Sequence, residues 1–160
     1  MTLAIILASM ITVVVLGIGG VATTVGDWYR GLDKPAWNPP EWLFGPAWTV
    51  ILGLAAWAGV AGWLHAPSLG ARITLLGLYG VNIALHMAWS PLFFNLRRPD
   101  WALIEAPFLW LSVLALIVAM SPYSPLSGWL LAPYLAWVAF AIVLNAEIVR
   151  RNRPFARRPG

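Results

Sequence analysis

The run LAIILASMITVVVLGIGGVATTV, residues 3–25, contains no charged residue. A helix that crosses a bilayer needs about 20 consecutive apolar residues, so this run is long enough to span alone. It lacks the basic start of a secretion signal, and its apolar stretch is longer than such a signal carries. It therefore reads as a retained helix. Four more windows qualify: residues 43–64, 73–96, 101–120 and 126–149. The expected fold class is all-α, a single five-transmembrane-helix bundle over residues 1–160.

Composition supports this reading. The chain is 61% hydrophobic and 10% charged, with a mean hydropathy of +0.78. A soluble domain carries about 25% charged residues. Too little charge is present to cover a water-facing surface, whereas lipid accepts an apolar exterior. There is no Cys, which excludes disulfides, iron–sulfur clusters and thiolate chemistry. The net charge of +4 does not argue for nucleic acid, because the basic residues flank apolar spans. Trp occurs 11 times. Two interfacial belts need fewer than that, so some Trp rings are candidates to line a pocket.

Turn-forming residues mark the breaks. They are His65-Ala66-Pro67-Ser68, Asn95 to Asp100 around Pro99, and Ser121-Pro122-Tyr123-Ser124-Pro125. The longest connection, residues 26–42, holds Pro35, Pro39 and Pro40 among four aromatic residues. Its proline content makes it stiff. A basic tail occupies residues 150–160. Five spans place the termini on opposite sides. With the C-terminus cytoplasmic, nine of the ten basic residues fall inside and only Arg72 outside, as the positive-inside rule expects.

Polar groups within spans are costly and call for a reason. In the third span, Asn82, His86, Ser90 and Phe93 share one helical face, with Trp89 beside it. Gly80, Ala84 and Ala88 form a small-residue row turned away from that face, which permits close approach of another helix, within the bundle or across a dimer. Asn82 and His86 either line a cavity or hydrogen-bond to a neighbouring helix. A metal or haem-iron ligand is the third reading of His86, which has no second His or Cys nearby. In the fifth span, Tyr134, Trp137, Ala141, Asn145 and Ile148 form a stripe suited to stacking on a flat ligand or to helix packing. Glu147 can pair with Arg150 or Arg151, and Glu105 can snorkel. Pro91, Pro107 and Pro133 each remove a backbone hydrogen bond and can kink their helices.

The segment WYRGLDKPAWNPP, residues 28–40, followed by Trp42, Phe44 and Ala47-Trp48-Thr49, resembles the TspO/translocator-protein family, also called tryptophan-rich sensory proteins and peripheral-type benzodiazepine receptors. Trp89-Ser90-Pro91-Leu92-Phe93-Phe94, Pro133-Tyr134-Leu135-Ala136-Trp137 and Leu144-Asn145 agree with it. The resemblance covers essentially the whole chain. It implies a five-helix bundle, usually a homodimer, that binds porphyrin, haem or related tetrapyrroles as a ligand, with no obligate cofactor. It implies a pocket of Tyr29, Trp37, Pro40, Trp48, Asn82, His86, Trp89, Phe93, Trp137 and Ala141. The loop of residues 26–42 acts as its lid, with Arg30 and Lys34 as lid charges facing the ligand carboxylates. Two positions depart from the family pattern. No Tyr follows Leu144-Asn145, where sterol-binding relatives carry one, and His86 replaces an amide.

The expected role is a tetrapyrrole-binding sensor or regulator in a bacterial cell membrane. No nucleophile–base pair or metal cluster is apparent for ordinary catalysis, so no catalytic residue and no metal ligand is assigned. Light- and oxygen-dependent porphyrin degradation is the alternative activity. Translocation of porphyrins or other small amphipathic molecules is a third, against which stand the lack of inverted repeats and the scarcity of buried charge.

Overall fold

The computed structural model describes residues 2–23 and 26–155. Thr24 and Val25 of the first apolar window, and Arg157 and Arg158 of the basic tail, lie outside the described residues. The described chain is helical, with no strand among the described residues. Its elements are α1 (Thr2–Ala22), the short α2 (Asp27–Arg30), α3 (Glu41–His65), α4 (Leu69–Ser90), a π-helical turn (Pro91–Asn95), α5 (Pro99–Met120) and α6 (Pro125–Asn152). Four helices are long and apolar enough to cross a membrane: α3, α4 with its π turn, α5 and α6. The described apolar part of α1, Ile5–Gly20, is shorter. The protein is an integral membrane protein of helical class.

Local sequence sets the helix ends. Ser68 caps α4, its Oγ accepting from Ala71 N–H at 3.1 Å, which satisfies one of the free donors of the first turn. Pro99 and Pro125 open α5 and α6, where a missing N–H costs nothing. Pro107 and Pro133 lie inside α5 and α6, and Pro46 inside α3, and all three helices continue through them. At Pro91 the winding changes. Leu96 N–H donates to Pro91 O at 2.9 Å, a bond across five residues that defines the π turn.

Two buried clusters hold the bundle. The larger joins Ile51, Ala55 and Ala58 of α3 to Leu75 of α4, Leu109, Val113, Leu116 and Met120 of α5, and Leu131, Tyr134 and Val138 of α6. The smaller joins Tyr29, Phe93, Ala102, Leu144 and Ile148 toward the α2 end. Gly62 allows α3 to close on α5, since a Cβ there would lie 2.5 Å from Met120 Sδ. Hydrogen bonds satisfy polar groups within the spans, as a water-free interior requires. Ser127 Oγ donates to Ala58 O at 2.9 Å, and Tyr79 OH to Ala55 O at 2.8 Å. Asn82 Nδ2 donates to Ser112 Oγ at 2.9 Å, and Ser112 Oγ donates onward to Leu109 O at 2.7 Å. Glu105 does not snorkel: both carboxyl oxygens are buried without a hydrogen-bond partner.

Candidate functional site: an aromatic cavity

Between the two clusters lies a cavity of about 430 Å³, inside the range of roughly 300–1,000 Å³ usual for small-molecule sites. Helix α1 contributes Val15, Leu16, Gly19 and Gly20, with Thr23 just past its end. Helix α3 contributes Phe44, Gly45, Trp48, Thr49 and Leu52, with Glu41 at the rim. Helix α4 and the π turn add His86, Trp89, Ser90, Phe93 and Phe94. Ala106 and Leu109 of α5 close the back, and α6 presents a face running from Trp137 to Ile148.

The walls are aromatic and mutually braced. Trp48 sits at the centre, with ring centroids 4.7 Å from His86, 5.9 Å from Tyr134 and 6.4 Å from Trp137, all edge-on. Such pairs contribute about 0.5–1.5 kcal/mol each beyond the area they bury. Tyr134 OH and His86 Nδ1 are 3.3 Å apart, so the imidazole is held by α6 as well as by Trp48. Trp89 stacks on Phe93 at 5.0 Å and 24°. The π turn brings Phe93 inward to 2% exposure and sets Phe94 4.8 Å from it.

Of residues 26–40, Tyr29 reaches the cavity. Tyr29, buried and lining the cavity, packs against Phe93 and Phe94 at 6.2 and 5.4 Å. Burial raises its phenol pKa above the ordinary value of 10.0, against a smaller lowering by Asn38. Trp28 meets Phe93 at 6.1 Å. Asn145 ties the opposite wall together. With its amide oriented by its partners, Nδ2 donates to Pro99 O at 3.1 Å and Oδ1 accepts from Leu103 N–H at 3.1 Å, joining α6 to the first turn of α5.

The sequence-selected residues divide into three groups. Tyr29, Trp48, His86, Trp89, Phe93, Trp137 and Ala141 line the cavity. Trp37, Pro40 and Asn82 do not. Trp37 is half exposed and braces Phe140 from outside at 5.9 Å, Pro40 precedes α3, and Asn82 is turned to Ser112. Arg30 and Lys34 also stand away from the cavity. Lys34 Nζ donates to Tyr29 O at 2.7 Å and lies 4.3 Å from the Tyr29 ring centroid. Sequence reasoning missed Glu41, Phe44, the α1 wall of Gly19 and Gly20, and Thr23 just past it. The helix spacing of Phe44 and Trp48, four residues apart, carried a signal for the former. The α1 run carried none, since it is apolar on every face.

Two comparisons bear on this geometry. The model of the TspO/MBR family matches residues 5–151. The chain belongs to the TspO/MBR family. Among its TspO/MBR relatives, the human Translocator protein is 38% identical over 126 residues, 78% of this chain and 75% of that protein. The Tryptophan-rich sensory protein of Cereibacter sphaeroides is 36% identical over 133 residues, 82% of each chain. The Tryptophan-rich protein TspO of Archaeoglobus fulgidus is 35% identical over 150 residues, 92% of this chain and 96% of that one. The resemblance read from WYRGLDKPAWNPP at residues 28–40 is thus met by family membership across nearly the whole TspO/MBR chain.

Proposed function

We propose that this protein binds a flat, largely apolar tetrapyrrole, a porphyrin or haem, in the cavity under residues 26–40, and acts as a membrane sensor or regulator. The observation that carries the reading is the cavity wall. Trp48, Trp89, Phe93 and Trp137 all line one cavity, and ring faces of this kind suit a macrocycle. The test is titration with protoporphyrin in detergent, read by Trp fluorescence. Saturable quenching at low micromolar concentration or below is expected, weakened at least tenfold in Trp48→Ala and Trp137→Ala. Quenching that is linear, or equal in the variants, overturns the reading.

The same tryptophans favour a second reading, photochemical degradation of the bound porphyrin. Illumination in air followed by absorption spectra decides it. A product absent from illuminated free porphyrin is required.

The setting proposed for this site is a five-crossing bundle in a bacterial cell membrane. Helix α1 has 21 residues, about 30 Å at 1.5 Å per residue, and matches the hydrocarbon thickness. The placement of Arg30, Lys34, Arg97, Arg98, Arg150 and Arg151 supports a cytoplasmic C-terminus. Gly80 and Ala84 on the outer face of α4, with Ala88 half-buried below them, are the proposed contact of a homodimer.

A further inference from the structure

Glu41 is the first residue of α3, is exposed, and lines the rim of the cavity. It makes no ion pair among the described residues. No cation of the described residues stands within ion-pair distance of it, and those of the neighbouring segments contact other groups. Lys34 Nζ is bound to Tyr29 O at 2.7 Å and approaches Arg30 O at 3.5 Å. Arg30 Nη1 stands 3.9 Å from Asp27 Oδ1. Arg150 and Arg151 both hold Glu147, and Arg151 also reaches Asp33 at 3.4 Å. None of these cations lines the cavity. Apart from Glu41, the polar groups of its lining side chains are hydroxyl, amide, imidazole and indole. Among the described residues, the rim therefore carries a carboxylate without an ion-pair partner over a largely apolar chamber.

We infer that Glu41 is a specificity-determining residue, selecting flat apolar ligands whose polar end is cationic or neutral over those whose polar end is a carboxylate. The inference rests on the reading of the cavity as a site for flat aromatic ligands. A ligand body fixed between Trp48 and Trp137 leaves its polar end at the rim, because burying a charge among those rings is costly. There the end group meets Glu41. At a partly wet rim a single charge–charge contact changes affinity about three- to tenfold. Two porphyrin propionates would meet that repulsion, so the tetrapyrrole best suited to this rim presents its carboxylates neutralised or turned away.

Two probes with one apolar body and opposite charge test this directly. The full chain in phosphatidylcholine nanodiscs is titrated with 1-pyrenebutylamine and with 1-pyrenebutanoate, read by Trp-to-pyrene energy transfer. The amine is expected to bind at least threefold more tightly than the carboxylate. Glu41→Gln should remove that gap, and 0.5 M salt should narrow it. Asp27→Asn, which deletes an acid outside the cavity, should leave it in place. A gap that is absent, that survives Glu41→Gln, or that Asp27→Asn removes equally, overturns the assignment, as does failure of both pyrenes to bind. Protoporphyrin titrated alongside separates the two readings. If it fails to bind while the pyrene gap behaves as expected, the tetrapyrrole reading falls and the Glu41 assignment stands.

Discussion

Asn152 grips the backbone of Asp33 with both ends of its amide. Asp33 N–H donates to Asn152 Oδ1 at 2.9 Å, and Asn152 Nδ2 donates to Asp33 O at 2.8 Å. The last residue of α6 thereby fastens the segment that follows Tyr29. Two net hydrogen bonds at an exposed site contribute about 1–2 kcal/mol. Asn152→Ala should therefore raise the population of the open loop about tenfold, seen as faster amide exchange at Leu32–Lys34. Ligand dissociation should quicken with it. Unchanged exchange in that segment would show that the loop is held by its aromatic contacts alone.

The glycine lining of α1 offers a way to empty the site without unfolding the bundle. A Cβ at Gly19 meets nothing within 4 Å, and Gly19 faces the cavity. Gly19→Leu would place a branched side chain in that space. Leucine also favours a helix over glycine by about 0.5–1 kcal/mol. Porphyrin quenching should be lost or weakened at least tenfold while the melting temperature in detergent holds or rises. Normal binding in this variant would move the ligand out of the cavity.

Asn82 and Ser112 form the buried polar contact between α4 and α5. Removing the Ser112 hydroxyl takes from the buried Asn82 amide its acceptor, at a cost of about 1–3 kcal/mol, whereas without Asn82 the Ser112 hydroxyl keeps its bond to Leu109 O. Asn82→Leu and Ser112→Ala should each lower the unfolding midpoint in detergent, and the double variant should lose less than the two singles summed. Strict additivity would mean that the pair is not coupled.

The outward face of α4 gives the fourth prediction. Ala84→Phe places a large ring between Gly80 and Ala88, where close helix approach needs small side chains. The species in mild detergent should shift from dimer to monomer by light scattering, with porphyrin binding kept. A persistent dimer would locate the interface on another face.

Much of the cavity was legible because its aromatic residues recur at helical spacing. Trp89 and Phe93 lie four apart, as do Trp137 and Ala141, and each pair falls on one wall. Asn82 misled for a physical reason. It shares a face with His86, but Ser112 of α5 stands opposite and takes its amide, and no pattern within one helix reveals what a neighbour presents. Trp37 stands outside the cavity for a similar reason. Its motif suggested a wall, whereas the turn of residues 31–40 leaves it outside, braced on Phe140. Glu41 escaped notice because an acidic residue at a helix start is ordinary, and only the folded arrangement sets it at the cavity rim without an ion-pair partner among the described residues. The winding change after Ser90 was equally hidden, since Pro91 announces a disturbance without saying which kind.

That π turn makes the chain length between Trp89 and Pro99 a functional quantity. A π turn holds one residue more than the α-helical path it replaces. Deleting Leu92 would let the segment relax to α-helical winding, which redirects the side chains inside the turn while the chain beyond it keeps its register. Phe93 would then leave the chamber without any change in its identity. A single-residue gap here, in any relative that keeps the same motifs, marks a chamber of a different shape.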